Sequence, residues 1–325
     1  MSLLLIALTI LTCAATDGQE RLIGSFSGPG VRAMGMGAAY SGIADDFTAT
    51  FWNPAGLAQI KKRQVYAAFL RNSYDNEARR EGFDRTRGEL SNTSFGSLGV
   101  VYPYPVYRGS LVFAAGFNRT NDFDSIIRIE GFSDVDSLRV NNTFSHEGEL
   151  GAITLAGAID VSPAVALGLT FNFLSGEDEN IREFTWEDSE DYYVEKKWVA
   201  RDVFLDDYDT SFSATFGAHV RSSAKNPKVR FGATVTTGST HNISYSFKAV
   251  PDGGYNLVEY DDGRDPDTNL NVIADDSYEI SLPLQFGAGL AVEPKPGLLV
   301  ALGTHVAEWS QSDYKGRDED DLRAN

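Results

Sequence analysis

Leu167-Gly168-Leu169-Thr170-Phe171-Asn172-Phe173 places a large apolar residue at every odd position and a small or polar one at every even position. Successive side chains of a strand point to opposite faces, so this spacing predicts a β-strand with one greasy face and one small, polar face. The pattern recurs on both sides. Leu111, Phe113, Ala115 and Phe117 alternate with Val112, Ala114, Gly116 and Asn118, and Phe212, Ala214, Phe216 and Ala218 alternate with Ser213, Thr215 and Gly217. Val229, Phe231, Ala233 and Val235 then alternate with Arg230, Gly232 and Thr234, and Leu282 to Val292 repeats the theme against Ser281, Gln285, Gly287 and Gly289. No stretch beyond residue 64 has the period of an amphipathic helix, so the chain from Gln64 onward reads as all-β.

The connections come in two kinds that take turns. Short links sit near Pro103-Arg108, Ser162-Pro163, Ser223-Pro227 and Glu293-Gly297, while long polar links run near Tyr74-Asn92, Thr120-His146, Gly176-Asp209 and Ala249-Ser277. A transmembrane antiparallel β-barrel has tight turns at one end and extended loops at the other, whereas a soluble β-sandwich has no reason to gather its long loops at one end. About nine strands are expected up to Trp309. Single-chain bacterial barrels close with an even number, so the hydrophilic run Gly316 to Asn325 reads as a C-terminal truncation inside an outward-facing loop.

Composition narrows the function. The 325-residue chain carries a net charge of -18, which disfavours nucleic acid as a partner because phosphate binding needs a basic patch. Its acid gathers between Glu177 and Asp209 and between Asp252 and Asp276. The mean hydropathy of -0.23 does not separate soluble proteins from barrels, whose alternation hides the membrane-facing half. Leu3 to Leu11 is an apolar run too short for a membrane helix, followed by small residues through Cys13-Ala14-Ala15; residues 1–16 read as a cleaved secretory signal. Cys13 is the only cysteine, so the exported chain has neither a disulfide nor a thiolate metal site.

Between this signal and the first strand, residues 17–62 are rich in glycine and alanine and suit short helices packed in a confined space. They contain Ala44-Asp45-Asp46 and, shortly after, Asn53-Pro54-Ala55-Gly56-Leu57-Ala58. This pairing resembles the N-terminal hatch of the FadL/TodX-type outer-membrane transporters of hydrophobic compounds, and Leu282-Pro283-Leu284-Gln285-Phe286-Gly287 also resembles that family's barrel. The resemblance implies a fourteen-stranded barrel, of which residues 63–325 supply part, plugged by a small helical hatch in the lumen. It also implies location in the bacterial outer membrane, with outer-membrane lipid around the wall and hydrophobic small molecules such as long-chain fatty acids as ligands. Passage would be passive and hatch-gated, with no enzymatic chemistry and no cofactor.

On that resemblance Asp45, Asp46, Asn53, Pro54, Ala55 and Gly56 form the gating element. Pro54 has its own physical reason to matter, since it fixes φ and biases Asn53 away from helix; capping of a hatch helix is the plainer reading of Asn53-Pro54. Gly116 and Asn118 mark a candidate bend in the third strand, where the family opens sideways, although packing beside the hatch accounts equally well for a glycine there. PorV-like barrels of a protein secretion system share the hatch motif, and they imply protein partners in place of a small-molecule ligand.

Other motifs carry less. Gly35-Met36-Gly37 follows no strand and lacks the third glycine of a nucleotide loop. His146, His219, His241 and His305 have no metal-ligand spacing, and no Gly-x-Ser-x-Gly elbow is present. Asp265, Asp267, Asn269 and Asp276 match some positions of a calcium loop, but Leu270 stands where that loop needs glycine.

Overall fold

The computed structural model describes residues 28–79, 85–133, 137–223, 228–249, 257–261, 263 and 272–316. The secretory-signal reading and the calcium-type positions Asp265, Asp267, Asn269 and Leu270 lie outside the described residues. Among the described residues from 28 to Gln59 the backbone forms short helical pieces: α1 (Val31–Gly35), α2 (Ala49–Trp52) and a 3-10 helix (Pro54–Gln59). Strands follow: β1 (Gln64–Ala78), β2 (Thr86–Tyr104), β3 (Leu111–Asp122), β4 (Ser125–Ser133), β5 (Leu138–Asp160), β6 (Val165–Glu187), β7 (Glu195–Arg221), β8 (Val229–Thr236), β9 (Ser239–Ala249), β10 (Leu257–Tyr260), β11 (Val272–Leu282), β12 (Gln285–Lys295), β13 (Leu298–Ala307) and β14 (Asp313–Lys315).

These strands form one antiparallel sheet, curled as a half-barrel, whose longest path is β1-β2-β3-β5-β6-β7-β8-β12-β13. The path has the nine members that the alternation predicts. Strands β4, β9, β11 and β14 continue or precede β3, β8, β12 and β13 across short interruptions, one of them at Pro283, which cannot donate to a ladder.

Two expectations are corrected. The polarity of the long links predicts loops, yet β5, β6 and β7 run for 23, 23 and 27 residues and carry regular pairing through much of Thr120-His146 and Gly176-Asp209. An antiparallel ladder is made by backbone amides, so polar side chains with period two extend a strand as well as apolar ones do. In addition, β13 closes at Ala307, and Trp309 opens a short 3-10 turn (Trp309–Gln311) instead of ending the strand.

The greasy face is the outer one. Phe69, Phe95, Phe113, Phe171, Phe173, Phe212, Phe216, Phe231 and Phe286 are all between 37% and 69% exposed, while the alternating Ala166, Thr170, Thr215 and Ser213 are buried. Complete burial of such a side chain is worth about 1.5–3 kcal/mol, so nine half-exposed phenylalanines leave on the order of 10 kcal/mol unrealised in water, comparable to the whole stability of a domain. The upper edge of this face is a row across neighbouring strands. Phe69 lies opposite Phe95, the Phe95 and Phe117 rings stack at 6.0 Å, and Phe117, Ile153, Phe173 and Phe212 are successive register partners. From Phe212 down to Val220 the apolar stretch of β7 spans roughly 27 Å along the strand. Above the row the outer face of β6 turns to Glu177, Glu179, Glu183 and Glu187, and ion pairs replace apolar contact: Lys197 Nζ to Glu187 at 3.0 Å and Arg201 Nε to Glu183 at 3.5 Å.

The inner face is lined by small residues because residues 28–60 lie directly on it. Ala33, Tyr40, Ile43, Phe47, Trp52 and Leu57 form one buried cluster with Val101, Val112, Ala114, Ala156, Ala166 and Ala291, contributed by five different strands. A Cβ on Gly232 would stand 1.9 Å from the Ser41 carbonyl oxygen, and one on Gly168 would stand 2.3 Å from the Ala55 nitrogen. Outward-facing Gly157 meets nothing nearer than Phe113 at 3.7 Å. Gly232→Ala is therefore expected to lower the urea midpoint by the equivalent of about 1–3 kcal/mol, an overpacking cost. Gly157→Ala is expected to leave the midpoint unchanged or higher; equal effects at both positions would remove the close-approach argument.

Candidate functional site

The residues singled out in the N-terminal segment converge on one another. Asp46 precedes α2, and its Oδ1 accepts from the Thr48 backbone N–H at 2.9 Å and from the Thr48 hydroxyl at 2.6 Å, which satisfies a donor at the start of the helix. The Tyr40 hydroxyl lies 2.9 Å from Asp46 Oδ2 and 3.0 Å from Asp45 Oδ1. Burial, with the Asp45 and Asp46 carboxylates adding to it, pushes the Tyr40 phenol well above its ordinary pKa, so it remains a donor. Asp45 also pairs with Arg32 and, across to the wall, with Arg230 at 3.8 Å.

Asn53 is extended and caps the 3-10 helix that Pro54 opens, its Oδ1 accepting from the Ala55 N–H at 3.1 Å. The same side chain does more than cap. Its Nδ2 donates to the Ser41 carbonyl at 2.9 Å and to the Ala218 carbonyl of β7 at 3.1 Å, joining both halves of the segment to the wall. Gly56 is required by the Ala44 carbonyl oxygen, 2.1 Å from where a Cβ would be, and Ala44 itself adopts a positive φ of 36°. Gln59 Nε2 completes the clasp by donating to the Ile43 carbonyl at 2.7 Å. The two motifs are thus the two sides of one packed turn. Pro54 and Ala55 press on Gly168 and Gly217.

Residues of the wall, and Trp52 within the segment itself, hold this segment in place. His219 Nε2 lies 3.1 Å from the Gly42 carbonyl, His305 Nε2 lies 3.4 Å from the Ser41 hydroxyl, and Trp52 Nε1 donates to the Pro29 carbonyl at 2.8 Å. Asn118, buried on β3, donates to the Thr50 hydroxyl at 2.9 Å and accepts from Ser97 at 3.0 Å. Gly116 is paired on both sides, opposite Gly99 and Thr154, and its missing Cβ makes room for the Phe47 ring. For His219, Asn118 and His305 the sequence signal for this fastening role is a polar residue within an alternating strand.

Pairing between β2 and β3 runs from Tyr104 opposite Leu111 to Ser97 opposite Asn118. Beyond that point, among the described residues, β2 is laddered to β1, while β3 and β4 continue on β5. Side chains bridge the parting. Asn92 donates to Asp124 at 2.6 Å, Asn72 donates to Asp122, and the Glu130 N–H donates to the Thr86 hydroxyl at 3.1 Å. A register shift between Arg119 and Asn121 turns Arg119 toward Asp122 and Glu149 at the same place. Nearby, the interruption at Phe123 sends its ring inward to stack on Tyr208 at 6.0 Å, and Leu150, Ile243 and Ile280 complete an apolar collar.

No protein-family model matches the chain, and no curated protein or solved structure matches it. Its site therefore stands on its own geometry. Asn53→Ala strands the Ser41 and Ala218 carbonyls and the Ala55 N–H, and is expected to loosen the segment by about 2–4 kcal/mol. Asp45→Asn, whose side chain is 26% exposed, is expected to cost about 1 kcal/mol or less. Amide hydrogen exchange over residues 40–60 measures both, and a larger effect from Asp45→Asn would reverse the assignment of the main fastening.

Proposed function

We propose that this chain forms the wall and hatch of an outer-membrane β-barrel through which hydrophobic compounds, long-chain fatty acids among them, pass by diffusion. The observation that carries the reading is the inverted sheet: the apolar face is exposed and bounded above by an aromatic row, and the small and polar face is buried under the N-terminal segment. A lipid surround supplies the burial that water withholds, and aromatic girdles mark the edges of such bands.

In this reading residues 28–60 are the hatch, with Asn53, Pro54, Ala55 and Gly56 at its contact with β6 and β7. Ligand would meet the apolar collar of Phe123, Leu150, Tyr208, Ile243 and Ile280 above the hatch. The parting past Asn118, bridged by side chains in place of a ladder, would give a sideways exit toward lipid. No bond is made or broken, and no cofactor is needed. The resemblance of the Asp45-Asp46 and Asn53-Pro54-Ala55 motifs to FadL-type transporters supports the same function.

A second reading, a PorV-like barrel that binds a protein partner, is favoured by one feature. The β5-β6-β7 extension carries its own buried cluster of Leu138, Val140, Phe184, Trp186 and Ala200 well above the aromatic row. The two separate in proteoliposomes holding the full-length protein and an internal acyl-CoA synthetase, which traps fatty acid that has crossed. Capture of labelled oleate faster than in protein-free vesicles, and at least about threefold slower with Asn53→Ala, is expected from hatch-gated transport. A folded barrel that adds nothing to the protein-free rate would favour the partner-binding role.

A further inference from the structure

The outer surface answers its cations at one end and leaves them unanswered at the other. Above the aromatic row, Arg87 pairs with Asp75, Lys197 with Glu187 and Arg201 with Glu183. At the opposite end, where the short turns lie, Lys62, Arg63, Arg108, Lys228 and Lys295 are exposed. Among the described residues, no carboxylate stands within ion-pair distance of any of these five. The acids nearby are engaged elsewhere: Asp160 with Arg221 and, at 3.9 Å, with Lys61, and Glu293 with the Gly297 N–H at 3.2 Å. Acid is plentiful in the chain, 46 Asp and Glu against 28 Lys and Arg, so the bare cationic rim is a matter of placement and not of composition.

Tyrosines share this rim. The outward positions of β2 run Leu98, Val100, Tyr102 and Tyr104, all exposed, and Tyr107 projects fully from the turn that follows. Phe95 and Tyr104 are about 30 Å apart along the strand, which puts the tyrosines at the edge of the apolar face opposite the phenylalanine row. Arg63, one step beyond the Gln64–Val101 pair, sits beside Tyr102. Its guanidinium lies over the Tyr102 ring, 4.8 Å from the centroid, and Nη2 donates to the Tyr102 hydroxyl at 3.4 Å. A ring beneath a guanidinium orients it and leaves most of its N–H fork free for a bidentate acceptor, of which a phosphate is the best match.

We propose that the Arg63–Tyr102 pair binds the phosphate of an anionic phospholipid, of the phosphatidylglycerol type, in the leaflet that faces the short turns, with the unpaired cations around the rim extending the same preference. The inference rests on the membrane reading. The apolar face beginning at Val65 and Val100 takes the acyl chains of the same lipid, and a cation beside an anionic leaflet gains where one beside a zwitterionic leaflet does not. Phosphatidylcholine offers the same phosphate with its charge cancelled by choline. The upper end, whose cations already have acidic partners, has no such preference.

The test uses the full-length protein in phosphatidylcholine vesicles at low salt, with traces of spin-labelled phosphatidylglycerol or phosphatidylcholine; the motionally restricted part of each spectrum measures lipid held at the wall. Phosphatidylglycerol is expected to be held about threefold more strongly than phosphatidylcholine. Arg63→Gln with Arg108→Gln is expected to lower that ratio to about 1.5 or less, and Lys197→Gln with Arg201→Gln to leave it unchanged. Equal restriction of both lipids by the wild type overturns the inference while the membrane reading stands. So does an unchanged ratio in the rim variant, or an equal loss in the upper one. Restriction of neither lipid overturns the membrane reading, and the inference with it. Should the rim variant not insert, salt decides on the wild type: the ratio falls toward one at about 1 M salt, where screening acts within about 3 Å, and a ratio indifferent to salt overturns the inference.

Discussion

At several points the N-terminal segment touches the sheet backbone to backbone, so side chains are excluded there and the rest of the inner face is built around that fact. Gly168, Gly217, Gly232 and Gly289 accept the approach of residues 41–55, and Gly99 and Gly116 accept the Phe47 ring. Alanine and threonine fill positions around these glycines. Because so little side-chain bulk separates the two layers, their polar groups can reach one another directly. Asn53, His219 and Asn118 each bond across the contact, and an interface this close cannot slide without breaking several of those bonds at once.

Filling the concave side with small residues leaves the large ones for the convex side. That inverts the arrangement of a water-soluble sheet, where the greasy face is the buried one. The inversion ends at a defined height. Above the row from Phe69 to Phe212 the outer positions turn to glutamate with arginine and lysine partners, and the inner positions take over the apolar role in the Phe123 and Trp186 clusters. β5 and β6 carry this exchange of faces along one unbroken ladder.

The places where the ladders do fail lie close together around that height. The end of β2-β3 pairing at Ser97 and Asn118, the shift at Arg119, and the interruptions at Phe123-Asp124 and Pro283-Leu284 all release backbone from the regular sheet. The shift at Arg119 is a bulge that reorients one residue, and Pro283 cannot donate to a ladder. The apolar collar of Phe123, Leu150, Tyr208, Ile243 and Ile280 lies beside them.

Much of this was written in the local pattern. The period-two alternation from Gln64 located the nine wall strands, because strand geometry forces every second side chain to one face. The glycine and alanine of residues 17–62 suit short, closely packed helices, and the Ala44-Asp45-Asp46 and Asn53-Pro54-Ala55-Gly56 pairing singles the segment out by its resemblance to a known hatch. What remained hidden depended on distance. The polar upper strands are indistinguishable from loops by sequence, since alternating apolarity is what marks a strand locally and backbone pairing does not need it. That Asn118, His219, Arg230 and His305 fasten the N-terminal segment is not legible locally, since their partners there lie 68 to 264 positions away in the chain. Local alternation by itself determined that this chain forms a two-faced sheet; only the tertiary structure decided which face turns outward, because that depends on where residues 28–60 come to rest.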